Sequence, residues 1–315
     1  MKKILVVRND RLGDLMLILP ALRIIKTSIP GITIDCLANK NYQELKNLTP
    51  YIDGMITDDE LNIKVFEEKY DCSISFFSTF SVAYKLWKGG IKKRYAPSTK
   101  LAQIFYNKKI KQRRSESIKS EYEYNNDLAS FFIKDNGYTV KNSQDSLITI
   151  ENNNSIRSSG KKVIFIHPYT GGSSKTLSTN DFLKLCHALQ EFCDCKFILH
   201  CDHNDYDKCR KIQSRSNSLD METIKPTNNM KKMFNNIMQC DLFIAGSTGP
   251  LHIAAAMNKK TVGFYPSKKS STPVRWDTMN NESLKLFFTD TGKDNSSLTV
   301  NITETAEVIF KKLLS

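Results

Sequence analysis

Asp241-Leu242-Phe243-Ile244-Ala245-Gly246-Ser247-Thr248-Gly249-Pro250-Leu251-His252-Ile253-Ala254-Ala255-Ala256 reads as an apolar strand, a tight glycine turn and the start of a small-residue helix. A helix start presents backbone N–H groups with no partner inside the helix, together with a partial positive charge. An anion, above all a pyrophosphate, binds well there. Thr248 adds a hydroxyl, Gly249 permits close approach to the backbone, and Pro250 suits the first helical turn. His252 is expected to point back toward the same opening. A glycine turn after a strand also occurs for packing reasons alone, so the rest of the chain has to decide.

Working outward, the same strand-loop-helix rhythm recurs. Val163-Ile164-Phe165-Ile166, Lys196 to His200, Leu242 to Ala245 and Thr261 to Tyr265 read as strands. Helical spacing lies between them at Thr179 to Phe192, Met230 to Gln239 and Gly249 to Met257, the first with Thr179 or Asn180 as N-cap. The N-terminal half repeats the pattern with strands at Ile4 to Val7, Ile32 to Leu37, Ile52 to Ile56 and Cys72 to Phe76. Leu15 to Ile29 has helical spacing with Pro20 inside it, which implies a kink or a late start. Glu121 to Phe132 reads as a further helix. Such alternation is the signature of doubly wound α/β sheets. The polar stretch 151–162 has no periodicity and divides the chain into domains 1–155 and 156–315.

The 315 residues suit two domains. A formal charge of +13 and a pI of about 9.2 point to an anionic partner: nucleic acid, a phosphorylated glycolipid or an anionic membrane surface. The charge concentrates between Lys85 and Lys119, where Trp87, Tyr95, Phe105 and Tyr106 interleave with lysines and arginines and no acidic residue precedes Glu116. That segment reads as a solvated basic surface or as an electrostatic site for an anionic acceptor. Met1-Lys2-Lys3 and the four apolar residues after it are too short for a signal sequence, and no run approaches the roughly 18 apolar residues of a membrane span. A cytoplasmic location is expected, with peripheral membrane attachment as an extension. Eight cysteines show no C-x-x-C spacing. Cys186, Cys193, Cys195, Cys201 and Cys209 cluster in sequence, which makes a metal site conceivable, although buried reduced thiols explain the pattern more simply.

Each half carries a polar loop after its first strand, where ligands of such folds bind. In the first it is Arg8-Asn9-Asp10-Arg11-Leu12-Gly13-Asp14. Asp14 suits either a helix N-cap or a general base within reach of a hydroxyl. In the second it is His167-Pro168-Tyr169-Thr170-Gly171-Gly172-Ser173-Ser174-Lys175, whose glycines, hydroxyls and lysine suit phosphate. Neither the Walker A spacing nor G-x-G-x-x-G is present.

Taken together, Gly13-Asp14 with Leu19-Pro20-Ala21-Leu22, His167-Pro168 with Gly171-Gly172 and Lys175, and Ser247 to Ala256 resemble glycosyltransferase family 9, the ADP-heptose:lipopolysaccharide heptosyltransferases. The resemblance spans nearly the whole chain. It implies a GT-B architecture: two Rossmann-like domains facing across a cleft, the first binding acceptor, the second nucleotide sugar, and the last helix (about 303–314) packing back on the first. It also implies inverting transfer of heptose from ADP-heptose without cofactor or metal. In that transfer Asp14 is the base, and Thr170, Gly171, Gly172, Lys175, Ser247, Thr248, Gly249 and His252 hold the donor. Well-known members carry Asp where this chain has Ser247, which leaves the donor preference open. For a Kdo-containing, phosphorylated acceptor the candidate contacts are Arg11, Arg94, Lys100, Arg113 and Arg114. Two alternatives stand beside this: a family member with another nucleotide sugar or a protein acceptor, and a basic nucleic-acid-binding protein.

Overall fold

A computed structural model describes residues 1–67, 70–98, 101–150, 156, 160–172, 174–291 and 297–315. The chain divides into two compact units, Met1–Thr149 and Ile150–Ser315. Each is built on one six-stranded sheet, and every strand pair is parallel.

In the first unit the strands are β1 (Lys3–Val7), β2 (Thr33–Leu37), β3 (Gly54–Ile56), β4 (Cys72–Ser75), β5 (Lys93–Pro97) and β6 (Lys108–Ile110), in the order β3-β2-β1-β4-β5-β6. Its helices are α1 (Leu12–Met16), α2 (Leu19–Ser28), α3 (Leu61–Glu67), α4 (Phe80–Lys88) and α5 (Glu121–Asp135). Ile4, Leu5, Val6 and Val7 are fully buried, as a parallel strand covered on both faces requires. The helical run after β1 breaks at Leu17 and Ile18, and Pro20 falls in the first turn of α2, where its missing N–H costs nothing. Helix α5 packs on α2 and begins with a capping box: Ser120 Oγ accepts from Glu123 N, and the Glu123 carboxylate accepts from Ser120 N.

The second unit contains β7 (Lys162–His167), β8 (Cys195–Leu199), β9 (Met221–Thr223), β10 (Leu242–Gly246), β11 (Lys260–Tyr265) and β12 (Lys285–Thr289), in the order β12-β11-β10-β7-β8-β9. Its helices are α6 (Thr179–Gln190), α7 (Tyr206–Ser214), α8 (Met230–Met238), α9 (Gly249–Ala256), α10 (Pro273–Trp276) and α11 (Ile302–Ile309), the last prolonged by a wider turn through Leu314. Ser178, rather than Thr179 or Asn180, caps α6 by accepting from Asp181 N. Helix α11 packs on α6, and Ala306, Ile309, Leu313 and Leu314 are buried in this unit's own core. Phe310 stacks on Phe192 at 5.2 Å. Among the described residues no helix is long and apolar enough to cross a membrane.

The basic segment holds more structure than its composition suggests. It forms the end of α4, β5, a short 3-10 turn at Leu101–Phe105 and β6. Lysines on a three-residue edge strand hide the alternation that would reveal it. Ser120→Ala removes the cap that sets the first turn of α5; the expected loss is about 1 kcal/mol of unfolding free energy, measured by urea denaturation.

Candidate functional site

Both sheets run 3-2-1-4-5-6 when their strands are counted within each unit, so the chain reverses direction between the first and fourth strands. Connections leaving those two strands part to opposite sides and open a crevice at the carboxyl end, where doubly wound folds bind ligands. Those pairs are β1–β4 and β7–β10. The sequence-predicted loops leave β1, β7 and β10.

After β7 the chain turns through Gly171 and Gly172, with φ of 57° and 77°. Two successive residues of positive φ exclude most side chains. Thr170 Oγ1 closes the loop by donating to the Ser174 carbonyl at 2.6 Å. Thr170, Gly171, Gly172 and Lys175 line an open cavity of about 1340 Å³, completed by the loop after β11 (Pro266, Ser267, Lys268) and by Asp205 and Lys208. Ser173 lies outside the described residues.

Ser247, Thr248, Gly249 and His252 stand at the junction of β10 and α9, beside that cavity rather than in its wall. The two loops touch through Gly246, where a Cβ would come 2.9 Å from Thr176 Oγ1 and 3.1 Å from Thr170 Cγ2. Thr248 is the N-cap of α9, yet its hydroxyl caps nothing. Thr248 Oγ1, Thr176 Oγ1 and His252 Nδ1 are all buried without a hydrogen-bond partner. Such atoms are rare in folded proteins because each costs about 1–3 kcal/mol. Three of them around one helix N-terminus describe a polar crevice suited to an anion. Burial pushes His252 down to about 4, so its ring is neutral at physiological pH.

In the first unit, Asp14 is not the cap of α1. Arg11 occupies that position, and Asp14 sits two residues inside the helix. Its carboxylate accepts from Arg8 Nη2 at 2.5 Å. Arg8 is only 4% exposed and also pairs with Asp10 at 2.9 Å and Glu121 at 3.4 Å, while Arg114 braces Glu121 from the other side. One buried guanidinium thus gathers three carboxylates. Burial raises Asp14 above the ordinary carboxylate range and Arg8 pulls it back, with Glu121 adding to the rise. Burial likewise pushes Asp10 up to about 6 against the pull of Arg8, with Asp14 adding repulsion. A carboxylate with a raised proton affinity, partly open to solvent and held at a strand's carboxyl end, has the properties of a general base.

The candidate acceptor residues separate by environment. Arg11 is exposed beside Asp14. Arg113 is exposed and pairs with Glu116. Arg114 is committed to Glu121 and lies over the Tyr124 ring. Arg94 is turned to structural use: Nε donates to the Phe105 carbonyl at 2.6 Å and Nη1 to the Ile91 carbonyl. Lys100 lies outside the described residues.

The cysteine cluster is a set of free thiols. Cys186, Cys195, Cys201 and Cys209 belong to the apolar core of the second unit. Among the described residues no three His, Cys, Asp or Glu side chains form a group that could hold a metal ion. Nearby, His167 Nδ1 donates to the His200 carbonyl at 2.9 Å and lies 3.1 Å from His200 Nδ1. Burial lowers the proton affinity of both rings, His200 to about 3.

Comparison with known proteins gives this geometry its family. Residues 60–297 match glycosyltransferase family 9 (heptosyltransferase). The chain belongs to that family. A Haemophilus influenzae protein described as a glycosyltransferase is 36% identical over 300 residues, covering 89% of this chain and 87% of that protein. The solved Escherichia coli ADP-heptose lps heptosyltransferase II superposes with a TM-score of 0.80 at 18% identity over 100% of this chain and 99% of that one. Escherichia coli heptosyltransferase WaaC with ADP gives 0.78 at 16% over 98% and 99%. This family 9 member is a glycosyltransferase with the α/β fold of the GT-B heptosyltransferases.

Arg8, Glu121, Thr176 and the loop after β11 were not singled out from the sequence. Only the last carried a signal, the Ser267-Lys268-Lys269-Ser270-Ser271 run after a strand. In this family 9 enzyme Gly246→Val should force Thr170 and Thr176 apart. The expected outcome is a loss of about 1–3 kcal/mol in stability and at least about tenfold weaker pyrophosphate binding, read by urea denaturation and calorimetry.

Proposed function

We propose that this family 9 enzyme is an inverting heptosyltransferase that moves heptose from ADP-heptose to an anionic lipopolysaccharide or lipooligosaccharide inner-core acceptor. The observation that carries the donor half is the trio of buried, unpartnered polar atoms of Thr176, Thr248 and His252 at the start of α9. A diphosphate satisfies them and meets the positive end of the helix. Ser247, Gly249, Thr170, Gly171 and Gly172 supply the backbone around it, and Lys175 adds a positive charge. The names of the Escherichia coli structures, one an ADP-heptose enzyme and one holding ADP, favour an adenine nucleotide and a heptose. The basic segment 85–119 favours an anionic acceptor, with Arg11 and Arg113 as its exposed candidates.

In this reading Asp14 takes the proton from an acceptor hydroxyl as that oxygen attacks the anomeric carbon. The bond to the β-phosphate oxygen breaks with inversion, and ADP leaves. Negative charge grows on the leaving diphosphate, where Lys175 and the amides at the start of α9 stabilise it more than in the ground state. These groups do the work often given to a divalent cation, so transfer is metal-independent. The neutral ring of His252 lets it donate or accept a hydrogen bond without adding charge. Arg8 fixes the Asp14 carboxylate and tunes its proton affinity. A second reading, another nucleotide-sugar donor, is favoured by Ser247, which lacks the carboxylate that well-known members place there.

The test is ADP release from ADP-heptose with Kdo2-lipid A as acceptor. Asp14→Asn should lower kcat about 10²–10⁴-fold with little change in donor affinity; full activity in the variant overturns the base assignment. Release only from another sugar nucleotide replaces the donor and leaves Asp14 in place. Arg8→Gln removes the charge that holds the Asp14 pKa down. The acidic limb of the kcat/KM profile should therefore move to higher pH, and Arg8→Lys should restore part of the shift.

A further inference from the structure

Of the nine large apolar side chains that stand exposed among the described residues, five lie on α4 and the 3-10 turn at Leu101–Phe105. They are Leu101 at 81%, Ile104 at 68%, Phe80 at 55%, Trp87 at 50% and Tyr84 at 40% exposure. Phe80, Tyr84 and Trp87 form one cluster, and Leu101 and Ile104 stand on the turn that carries Phe105. The Phe105 ring sits among three of them, with centroids 5.1 Å from Phe80, 5.7 Å from Tyr84 and 5.8 Å from Trp87. The cluster is held, not frayed. Helix α4 is capped by Thr79, which accepts from Val82 N, and anchored by buried Val82, Ala83 and Leu86. The turn is anchored by buried Ala102 and by Arg94 donating to the Phe105 carbonyl.

The segment that carries it is basic throughout. Residues 72–115 contain eleven Lys and Arg and no Asp or Glu. Lys88 follows Trp87, Lys92 follows the turn after α4, and Lys109 and Lys111 lie on or just after β6, directly beyond the 3-10 turn. All four are exposed and make no ion pair among the described residues. A capped and anchored apolar face rich in aromatics, with exposed cations on the same elements and on the segments next to them in the chain, matches the two layers of an anionic bilayer surface: acyl chains below, phosphates above. A nucleic acid would use the lysines but has no place for Leu101 and Ile104.

We propose that this face docks the enzyme on anionic phospholipid bilayers, Leu101, Ile104 and Trp87 entering the acyl boundary while Lys88, Lys92, Lys109 and Lys111 meet the headgroups. It extends the proposed function, whose lipid-linked acceptor lies in such a surface, but uses neither Asp14 nor the donor loops.

The experiment is sedimentation with phosphatidylcholine vesicles, with and without 30 mol% phosphatidylglycerol (roughly the anionic content that gives a strong surface potential), free of any glycolipid acceptor. Trp276→Phe leaves Trp87 as the sole tryptophan for fluorescence. The expected result is binding to the anionic vesicles, a blue shift of Trp87, and at least about tenfold weaker partition for Leu101→Glu with Ile104→Glu. Each lysine replaced by Gln should cost up to about fivefold, and binding should weaken with salt. These surface variants should keep the far-ultraviolet dichroism and thermal transition of the parent. Absence of vesicle binding overturns the proposal. So does self-association that depends on Leu101 and Ile104 in light scattering, which would make the face a contact between copies. Because no donor or acceptor is present, neither result bears on the transfer chemistry.

Discussion

Parallel pairing of the first strand with the fourth, β1 on β4 and β7 on β10, is the constraint on which the rest depends. Strands buried on both faces leave no room for polar chemistry along their length. The candidate groups stand instead in the loops at the carboxyl ends, where the reversal of strand order opens a crevice. The loops carrying Asp14, Gly171 and Thr248 all leave strands of those two pairs. The fold does not make the enzyme a heptosyltransferase, but it dictates where any such chemistry has to sit.

At those ends the two units solve opposite electrostatic problems. The second leaves Thr176, Thr248 and His252 without hydrogen-bond partners around a helix N-terminus. The first oversupplies carboxylates and neutralises them through Arg8. An anion suits one crevice and a proton transfer suits the other. A buried guanidinium with three carboxylates is sensitive to loss of any one partner, because what remains is an uncompensated charge. Arg114 on the far side of Glu121 spreads that risk.

The strands Ile4–Val7, Val163–Ile166 and Leu242–Ala245 were legible because a parallel core strand announces itself as an unbroken apolar run. The glycine turns at Gly171-Gly172 and at Gly246 were legible because few other residues fit there. The fates of the arginines were not. Arg8, Arg94 and Arg114 look alike in a basic sequence, yet the first is buried among carboxylates, the second is bonded to carbonyls of its own segment, and the third stacks on Tyr124. Which partner a guanidinium finds is set by strand order, which one sequence leaves open. Strands β5, β6, β9 and β12 were missed because they lie toward the sheet margins, short or half-covered, with charged residues breaking the pattern.

The buried histidines carry a consequence for acid tolerance. All five histidines of the chain lie in the second unit. His167, His200 and His252 are held neutral by burial, His200 down to about 3 and His252 to about 4 from the usual 6.5. Unfolding lets them take up protons, so their contribution to stability is intact above pH 6.5 and drains away as the pH falls toward 3. In the first unit Asp10 has the opposite sign. Raised to about 6 from the usual 3.8, it binds a proton more readily when folded, and across that interval acid relieves its burial. Acidification thus acts with opposite signs on these groups: it draws stability from the buried histidines of the second unit and returns it at Asp10 of the first.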